Sequence, residues 1–460
     1  MKRWEGSDKL LDPVELRKLV IGVEQQVPLR DGRQTTYVNF DNAASTPPIL
    51  PVVEAIWQFL PWYASVHRGQ GYKSQISTEV FESAHQTIGR FFSYDPQRHS
   101  VILGKNATEA LNKAAYRIQV PHGRHVLVTG MEHHSNDLPW RFRDNVRFAG
   151  LTPDGTLDLE TIRKEIRSGK IAVLAICGAS NVTGIINPIQ ELAELAHSYG
   201  VLFVVDAAQL APHHMVGLSS PENEWMAPDL IAISGHKLYA PFGTGALIGP
   251  RDIFRCGIPE FIGGGTVISV SQQDVVLAEP PDREEAGTPN VVGALALATS
   301  LDWLTNIGME ALFAAETNLT TYVYRELSRI PGCVVYGPSP EQTKRVGVIS
   351  FNLEGLPHGL VAAILSHEYG IGVRHGCFCA RPYVHHLLQL QSKDFREIRE
   401  NIQSCRWDKL PGMVRISFGF YNTRQEAEYF LTAIRAICSN SDRYLQEYRP
   451  VPPIGEYRPV

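Results

Sequence analysis

Short apolar segments alternate with helix-length amphipathic segments through the first two-thirds of the chain, and this alternation limits the possible folds. Four segments are apolar at nearly every position, so each would be buried on both faces: 125–129 (HVLVT), 171–177 (IAVLAIC), 201–205 (VLFVV) and 230–234 (LIAIS). Strands of this kind are typical of a parallel sheet covered by helices. The segment 187–200 begins with a proline turn, has one apolar face and ends at a glycine, which predicts a helix. Strand, helix and strand in this order predict an α/β domain with a mostly parallel sheet.

The last third of the chain has a different pattern. Its predicted order is two long helices, a strand, a helix, a strand and a closing helix, at 290–307, 311–330, 346–353, 359–369, 414–420 and 425–436. We therefore predict an N-terminal segment and large domain over 1–305, and a smaller C-terminal α+β domain over 306–440. The remaining residues, 441–460, contain EYRPV twice with Pro452 and Pro453 between the copies. This predicts an extended tail that packs loosely or contacts a partner.

Composition excludes several classes of function. The chain has 43 Lys and Arg against 48 Asp and Glu, so it has no basic surplus for binding nucleic acid. Its seven cysteines are scattered and odd in number, which does not indicate a disulfide framework. No apolar run has the length of a signal peptide at the N-terminus or of a membrane span elsewhere. We expect a cytoplasmic enzyme without a membrane or nucleic-acid partner, and no metal site.

Two polar residues follow strand-like segments, where the function of a parallel α/β sheet normally lies. Asp206 directly follows the segment 201–205, and Lys237 comes three residues after the segment 230–234. Taken alone, Asp206 is typical of a helix N-cap, and Lys237 is typical of an exposed surface residue. Together they match the pair that pyridoxal-phosphate enzymes use, a lysine that forms a Schiff base and an aspartate that keeps the pyridine nitrogen protonated.

Further short motifs, in one order along the chain, carry a resemblance to a known family. The motifs are Asp41-Asn42-Ala43-Ala44-Ser45, Val66-His67-Arg68-Gly69, Thr108-Glu109-Ala110, Glu132-His133-His134-Ser135-Asn136 with Pro139-Trp140, Ser180-Asn181-Val182-Thr183-Gly184, Asp206-Ala207-Ala208-Gln209, Ser234-Gly235-His236-Lys237 and Ala286-Gly287-Thr288-Pro289-Asn290. On these motifs the chain resembles the class V, fold-type I pyridoxal-phosphate enzymes, and among them the cysteine desulfurases. The resemblance implies a large domain with a mostly parallel seven-stranded sheet, a smaller C-terminal α+β domain, and a site between them at a homodimer interface.

The resemblance also implies how the cofactor, pyridoxal phosphate, would be bound. Lys237 would carry the cofactor, and Asp206 would pair with its pyridine nitrogen. His133 would stack on the ring and take part in proton transfer. Gln209 and Asn181 would form hydrogen bonds near the phenolic oxygen. The phosphate would be bound by Thr108, Ser234 and His236, and by Thr288 of the neighbouring subunit.

The resemblance implies a substrate site formed by His67, Asn181, Arg374 and Arg415. The two arginines are candidates for holding the α-carboxylate of an amino acid. Arg415 interrupts the apolar segment 414–418, where an arginine is otherwise typical of an exposed edge position. A planar guanidinium that binds a carboxylate through two hydrogen bonds explains its presence better.

The loop 374–382, with the sequence RHGCFCARP, contains the candidate nucleophile. Cys379 lies where the family has its catalytic cysteine. A lone cysteine is more often a buried, inert thiol. The loop, however, also contains Arg374, His375 and Arg381, and nearby positive charge favours the reactive thiolate. We therefore expect Cys379 to be catalytic.

The same loop departs from the pattern of ordinary cysteine desulfurases. Its Gly-Cys-Phe-Cys sequence resembles the sulfurase domain of molybdenum cofactor sulfurases, as does the long spacing from Cys379 to Arg415, which includes Cys405. Cys377 would either relay a persulfide or take no part in the reaction. The identity of the sulfur acceptor is therefore open.

The function that the resemblance implies is conversion of L-cysteine to L-alanine, with a persulfide formed on Cys379 for transfer to an acceptor protein. Four alternatives stay open at this point. The chain could be a cysteine or cystine C–S lyase that does not depend on Cys379, a selenocysteine lyase that uses the same residues, or a sulfur donor like the molybdenum cofactor sulfurases. It could also be chiefly a platform for sulfur relay, with the tail 441–460 docking an acceptor protein.

Overall fold

The architecture is taken from a computed structural model, which describes residues 13–67, 69–143, 145–219, 224–451 and 456–460. Three positions quoted above, Arg68 of the motif 66–69 and the tail prolines Pro452 and Pro453, lie outside these residues. The strands are β1 (Gln26–Pro28), β2 (Gln34–Thr36), β3 (Val38–Asn39), β4 (His99–Gly104), β5 (His125–Thr129), β6 (Val146–Ala149), β7 (Ile171–Cys177), β8 (Leu202–Asp206), β9 (Leu230–Ser234), β10 (Gly245–Pro250), β11 (Val267–Val270), β12 (Val275–Leu277), β13 (Cys333–Val335), β14 (Val348–Leu353), β15 (Ile371–Gly372), β16 (Arg374–Gly376), β17 (Met413–Ser417), β18 (Tyr448–Val451) and β19 (Glu456–Pro459).

Several of the helices begin or end at residues that are typical helix caps. The helices are α1 (Pro13–Lys18), α2 (Leu50–Phe59), α3 (Tyr72–Phe91), α4 (Ala107–Arg117), α5 (Leu138–Arg141), α6 (Leu159–Arg167), α7 (Ile189–Ser198), α8 (Arg251–Arg255), α9 (Val291–Ile307), α10 (Met309–Ser328), α11 (His358–Tyr369), α12 (Arg381–Leu387), α13 (Ser392–Gln403), α14 (Arg424–Ser439) and α15 (Ser441–Glu447). Helix α14 begins with a capping box between Thr423 and Glu426, and α11 ends at Gly370 in the left-handed conformation. Short 3₁₀ turns cover Leu60–Trp62, His134–Asn136, Glu224–Met226, Gly235–Lys237, Asp282–Glu284 and Trp407–Lys409.

The large domain is built on a sheet that has seven strands within the described residues, in the order β4-β10-β9-β8-β7-β5-β6. Strands β5 to β9 pair in parallel, and β10 is antiparallel to both of its neighbours. Every residue of β7 and of β9 is buried. The predicted α/β domain with a mostly parallel sheet of seven strands is confirmed. The carboxyl ends of β7, β8 and β9 lie at one edge of this sheet, where a binding crevice is expected.

The smaller C-terminal domain contains an antiparallel sheet of the order β13-β14-β17-β16, which has four strands within the described part of the chain. Helices α10 and α11 pack against this sheet, and α14 packs against these two helices and reaches β14 through the ring contact of Phe430 with Phe351. The prediction of a smaller α+β domain is confirmed. The N-terminal segment packs against the C-terminal domain, because β3 pairs in parallel with β15. The buried Phe40, which follows β3, belongs to the hydrophobic cluster that forms the core of this domain.

The last residues of the chain differ from the expected extended tail. Residues 441–447 form helix α15, and the two EYRPV copies pair as an antiparallel hairpin of β18 and β19. Tyr448 and Tyr457 are buried in the hydrophobic cluster of the C-terminal domain, and Tyr444 joins them. Each copy of the repeat therefore supplies an aromatic side chain to the core, and this burial stabilises the hairpin against that domain.

Hydropathy adds one finding about the helices. In the described residues no single helix is long and apolar enough to cross a membrane. Helices α9 and α10 are together long and apolar enough to cross a membrane, but their axes are bent by 80° relative to each other.

Candidate active site

A cavity of about 440 Å³ lies at the carboxyl ends of the parallel strands, facing the small domain. Most of the residues predicted from sequence line it: Thr108, His133, Asn181, Asp206, Gln209, Ser234, His236, Lys237, Arg374, Cys379 and Arg415. A larger cavity of about 730 Å³, near Leu210 and Met215, contains none of these residues. The chemistry of the lining residues therefore identifies the smaller cavity as the candidate active site.

Lys237 and Asp206 lie at the ends of neighbouring strands. Strand β9 ends at Ser234, and the following 3₁₀ turn brings Lys237 to the cavity. Burial lowers the pKa of the Lys237 ammonium to about 8, although the nearby carboxylate of Asp206 opposes this shift. Asp206 is the last residue of β8 and is 5% exposed. An amine with such a pKa is neutral in a substantial fraction of molecules near neutral pH, so it can act as a nucleophile or a base.

The Asp206 carboxylate is buried with little compensation. The Ala208 amide donates a hydrogen bond to Oδ1 at 3.0 Å. Within the described residues no cationic nitrogen lies within 4.0 Å of this carboxylate. Burial therefore raises the pKa of Asp206 above its ordinary value. A buried carboxylate that has no cationic nitrogen within 4.0 Å is suited to bind a protonated nitrogen of a ligand.

His133 lies beside Lys237 as a neutral imidazole. The Ser135 amide donates a hydrogen bond to His133 Nδ1 at 3.1 Å, so the ring proton of the neutral form is on Nε2. Burial, and then the nearby charge of Lys237, lower the pKa of His133 to about 3. A neutral aromatic ring can stack on a flat ligand without bringing a second positive charge close to Lys237.

The start of helix α4 supplies hydrogen-bond donors for an anion. Asn106 caps this helix by accepting from the Glu109 amide, and the Ser234 hydroxyl accepts from the Ala107 amide at 2.8 Å. The Thr108 and Ser135 hydroxyls lie 2.7 Å apart, so these two groups share one edge of the cavity. Hydroxyl groups together with a helix N-terminus form a site that favours phosphate or another anion.

Two arginines from neighbouring strands meet at a single carboxylate. Arg374 in β16 and Arg415 in β17 are register partners. Asp41 binds both of them, with Oδ1 3.1 Å from Nη2 of Arg415 and Oδ2 3.1 Å from Nε of Arg374. Arg415 is 3% exposed and its Nε has no hydrogen-bond partner, whereas the Arg374 side chain is 52% exposed. The arrangement offers guanidinium donors to a ligand carboxylate.

Asp41 was not among the residues assigned a role from the sequence. Its signal was present, because the motif 41–45 contains it, but a motif does not show which side chain an aspartate binds. Main-chain pairing brings Asp41 to this place, since it forms a parallel bridge with Ser417, two residues after Arg415.

Cys379 lies in the wall of the cavity, in a loop held by two hydrogen bonds. The Asn181 side-chain amide donates to the Phe378 carbonyl at 2.7 Å, and the His134 main-chain amide donates to the Cys379 carbonyl at 2.6 Å. Phe378 and Cys379 have φ angles of 51° and 53°, which is the left-handed region. The Cys379 side chain is exposed, and the Phe378 ring centroid lies 4.8 Å from the Arg415 guanidinium carbon. The loop thus presents a free thiol beside the carboxylate-binding arginine.

The other cysteines of this region have different surroundings. The Cys377 thiol donates to the Pro411 carbonyl at 3.2 Å, and burial raises its pKa above the ordinary value. A raised pKa disfavours the thiolate, so Cys377 is poorly suited to act as a nucleophile. Cys405 is exposed and does not line the cavity.

His67 and Thr288 do not line the cavity of their own chain. Both are exposed. His67 has a φ of 71°, and its ring packs edge-on against Phe81. Their predicted contacts with substrate and phosphate therefore stay predictions.

Comparisons with known proteins agree with this geometry. The family model described as "Aminotransferase class-V" matches residues 38–430. A probable cysteine desulfurase of Synechocystis sp. is 32% identical, over 92% of this chain and 96% of that protein. Among solved structures, the apo structure of a cysteine desulfurase from Thermococcus onnurineus has a TM-score of 0.78 at 32% identity, covering 88% of this chain and 95% of that one. A cysteine desulfurase of Escherichia coli, solved in an S-sulfonic acid form, has a TM-score of 0.77 at 26% identity, covering 95% of this chain and 99% of that one.

Proposed function

The chain belongs to the class-V aminotransferase family, and within it to the cysteine desulfurases, and from this premise we propose that it uses pyridoxal phosphate to transfer the sulfur of L-cysteine to Cys379. The observation that carries the proposal is the shared cavity of Lys237, Arg415 and the exposed thiol of Cys379. A transaminase of this class needs no thiol at this position, whereas a desulfurase needs one within reach of the substrate sulfur.

The residues of the cavity fit pyridoxal phosphate. Its pyridine nitrogen, when protonated, would supply the cation that the buried Asp206 carboxylate lacks. The hydroxyls of Thr108 and Ser234, at the start of α4, and the neutral imidazole of His236 match a phosphate. The Lys237 amine is suited to attack an aldehyde, because burial lowers its pKa.

When bound, the cofactor supplies an electron-accepting ring that allows the Cα proton of an amino acid to be removed. Lys237 accepts that proton at Nζ, since a pKa of about 8 leaves about a tenth of the amines neutral at pH 7, far more than for an exposed lysine. Asp206 would keep the ring nitrogen of the bound cofactor protonated, because its carboxylate is buried and no cationic nitrogen of the described residues lies within 4.0 Å of it, although the more distant Lys237 ammonium also attracts it. His133 would stack on the cofactor ring and, carrying its proton on Nε2, could donate a hydrogen bond on that side.

Arg415 holds the α-carboxylate of L-cysteine. Its Nη1 donates to the Asn181 carbonyl at 3.0 Å and its Nη2 to Asp41, which fixes the plane of the guanidinium and leaves Nε without a partner. Arg374 lies on the more exposed side of Asp41, where its positive charge attracts the carboxylate of the incoming substrate into the cavity. With the carboxylate so placed, the substrate sulfur points to the wall that carries Cys379.

Cys379 thiolate then attacks the substrate sulfur. A bond forms between the two sulfur atoms, the Cβ–Sγ bond of the substrate breaks, and the electron pair left on Cβ takes up a proton. Cysteine thereby becomes L-alanine, and Cys379 becomes a persulfide. Arg374 and Arg415 line the same cavity as Cys379, so the substrate carboxylate and the nucleophile would be held on the same side of the site.

The functional unit is a homodimer in this proposal. The chain exposes a large set of apolar side chains around α2, the start of α3 and the β11–β12 hairpin: Trp57, Leu60, Trp62, Tyr63, Tyr72, Ile258, Phe261, Ile262, Ile268, Val270, Val275 and Val276. Exposed apolar surface of this extent indicates a protein interface. The exposed positions of His67 and Thr288 support a role in the site of a second subunit.

A protein that accepts the sulfur and a cytoplasmic location are further parts of the proposal. A pull-down tests for the acceptor protein, and cell fractionation tests the location.

Incubation of the purified protein with L-cysteine tests the proposal, with alanine, pyruvate and sulfide measured in parallel. We expect alanine and a protein persulfide. Cys379→Ser should lower alanine formation by about 10³-fold or more, because the nucleophile is lost. Cys377→Ser is the matched control, and it should keep alanine formation because the half-buried Cys377 thiol donates a hydrogen bond to the Pro411 carbonyl.

Two outcomes would favour other functions. Pyruvate and free sulfide from Cys379→Ser at the wild-type rate would identify a C–S lyase. Much faster turnover of L-selenocysteine than of L-cysteine by the wild-type protein would identify a selenocysteine lyase.

A further inference from the structure

Asp41 compensates one of the two guanidinium charges that border the active-site cavity. Its carboxylate lies 3.1 Å from Nη2 of Arg415 and 3.1 Å from Nε of Arg374. Among the described residues, it is the only carboxylate within 4.0 Å of either arginine. Its oxygens form no hydrogen bond with any other described residue. Two positive charges thus meet one negative charge, which leaves this side of the cavity with a net positive charge.

The two arginines are placed as neighbouring sites for carboxylates. They are register partners on β16 and β17, and both line the cavity. Arg415 is 3% exposed and would hold the α-carboxylate of the substrate, whereas the Arg374 side chain is 52% exposed. Two guanidinium groups side by side are suited to the two carboxylates of a dicarboxylic amino acid. Asp41 changes this preference, because its Oδ2 already pairs with Arg374.

No other cation in the described wall of the cavity is free for a second carboxylate. Lys237 would carry the cofactor. Burial lowers the pKa of the three histidines that line the cavity, to about 3 for His133 and to about 4 for His236 and His375, so they are neutral at pH 7. A second carboxylate on a substrate would therefore be repelled by Asp41 without a free cation beside it.

We propose that Asp41 is a specificity-determining residue, which pairs with Arg374 and so makes the site select amino acids with an uncharged side chain, such as L-cysteine, against dicarboxylic amino acids, such as L-aspartate. The thiol of free cysteine is mostly neutral near pH 7, whereas aspartate has a second carboxylate on the same Cβ. Specificity of this kind comes from a repulsive group as much as from an attractive one. The proposal rests on the proposed function, because it assumes that Arg415 binds the α-carboxylate.

Binding of L-alanine and of L-aspartate to the holoenzyme tests the proposal. L-Alanine is the product of the proposed reaction, and neither ligand has a sulfur to transfer. The change in visible absorption of the cofactor therefore gives a dissociation constant, Kd, for each ligand. Asp41→Asn removes the charge and keeps the shape. We expect the ratio of the Kd for L-aspartate to the Kd for L-alanine to fall by about tenfold in this variant.

The ratio separates selectivity from a merely structural role. A less ordered Arg415 would weaken both ligands alike and leave the ratio unchanged, because both have the α-carboxylate. Asp41→Ser is a second neutral variant with the same expectation, should Asp41→Asn fold poorly. The double variant of Asp41→Asn with Arg374→Gln restores the net charge of the wild type and lacks the second guanidinium, so its ratio should return to the wild-type value.

Glu165→Gln is the matched control. Glu165 is also a partly exposed carboxylate paired with an arginine, since it lies 2.7 Å from Nη1 of Arg147, but it belongs to α6 and does not line the cavity. This variant should leave both Kd values unchanged.

Two results would overturn the proposal. An unchanged ratio in Asp41→Asn would mean that Asp41 only orients the arginines. A fall in the ratio that persists in the double variant would mean that Arg374 is not the group that Asp41 withholds from a second carboxylate. Failure of the wild-type protein to bind pyridoxal phosphate or L-alanine would instead contradict the proposed function.

Discussion

Replacing Asp206 by asparagine should lower the activity of the enzyme and raise the stability of the protein without cofactor. The carboxylate is 5% exposed, accepts one amide hydrogen bond, and has no cation within 4.0 Å among the described residues. Without cofactor it is therefore a buried charge whose attraction to the more distant Lys237 ammonium does not offset the cost of burial, because its pKa is still raised. In the proposed holoenzyme it would hold a proton on the ring nitrogen of the cofactor, which a neutral asparagine could not do.

The two effects have different magnitudes. Loss of one electrostatic stabiliser in a closed site lowers turnover by about 10²-fold, which is about 3 kcal/mol in the activation barrier. Asparagine keeps an oxygen that can accept from the Ala208 amide, so the turn after β8 should survive. Removing an under-compensated buried charge should raise the free energy of unfolding of the apoprotein by about 1 to 3 kcal/mol near neutral pH.

The gain in stability of the Asp206→Asn apoprotein should depend on pH. Burial raises the pKa of Asp206 in the folded protein above the ordinary value of 3.8, so folding favours the protonated form. The wild-type apoprotein then loses stability as the pH rises above that ordinary value, until the folded-state carboxyl has ionised. The advantage of Asp206→Asn should be larger at pH 8 than at pH 5. Urea unfolding of both apoproteins at these two pH values measures it.

Asp137→Asn is the control, because Asp137 is also buried but is paired with Arg141, Nη2 to Oδ2 at 2.6 Å. This variant should be less stable than the wild type. A loss of stability in Asp206→Asn, with turnover close to normal, would mean that Asp206 only caps the following turn, and the electrostatic reasoning would be refuted.

Two further predictions concern Lys237 and Arg415. The rate at which the apoprotein attaches pyridoxal phosphate covalently should rise with pH, with a midpoint near 8, and then level off, because only the neutral Lys237 amine reacts. Stopped-flow absorbance measures this rate at each pH. A midpoint above about pH 10, where an ordinary lysine titrates, would contradict the prediction. Arg415→Lys should raise the KM for L-cysteine by about 10- to 100-fold, because an ammonium cannot form the two parallel hydrogen bonds that a guanidinium forms with a carboxylate. The rate at which iodoacetamide alkylates Cys379 should change little in this variant. An unchanged KM would show that Arg415 is not part of the substrate site.

The parallel strands and the cofactor pair could be predicted from the sequence because their signals are local. The segment 230–234 matches β9 residue for residue, and Asp206 closes β8 where the apolar segment ends. A strand that is apolar on both faces has one stable environment, so the pattern determines the element. A polar residue at its carboxyl end is then placed at the crevice without knowledge of any other contact.

Other parts of the site depend on contacts between distant residues and leave no local signal. Asp41 and Arg415 are 374 positions apart, and they meet because Asp41 follows the short parallel pairing of β3 with β15. The tail was predicted as extended because it contains prolines and a repeat. Its hairpin depends on the burial of Tyr448 and Tyr457 in the C-terminal domain, a surface that the repeat alone does not reveal.

The charged groups of the cavity are divided between the two parts of the chain that form it. Asp206 ends a strand of the large sheet, and Lys237 lies in the turn after the next strand of that sheet. Arg374 and Arg415 lie in neighbouring strands of the small sheet. Asp41 follows β3, the strand of the N-terminal segment that pairs with β15. The cofactor would thus be held by one domain and the carboxylate of the substrate by the other. Because transfer of sulfur to Cys379 needs both groups at fixed separation, contacts between the domains must set the reaction geometry. The Asn181 side chain on Phe378 is such a contact, and so is the Glu316 carboxylate on His213. Substitutions at these contacts should therefore lower turnover more than their distance from the reacting sulfur suggests.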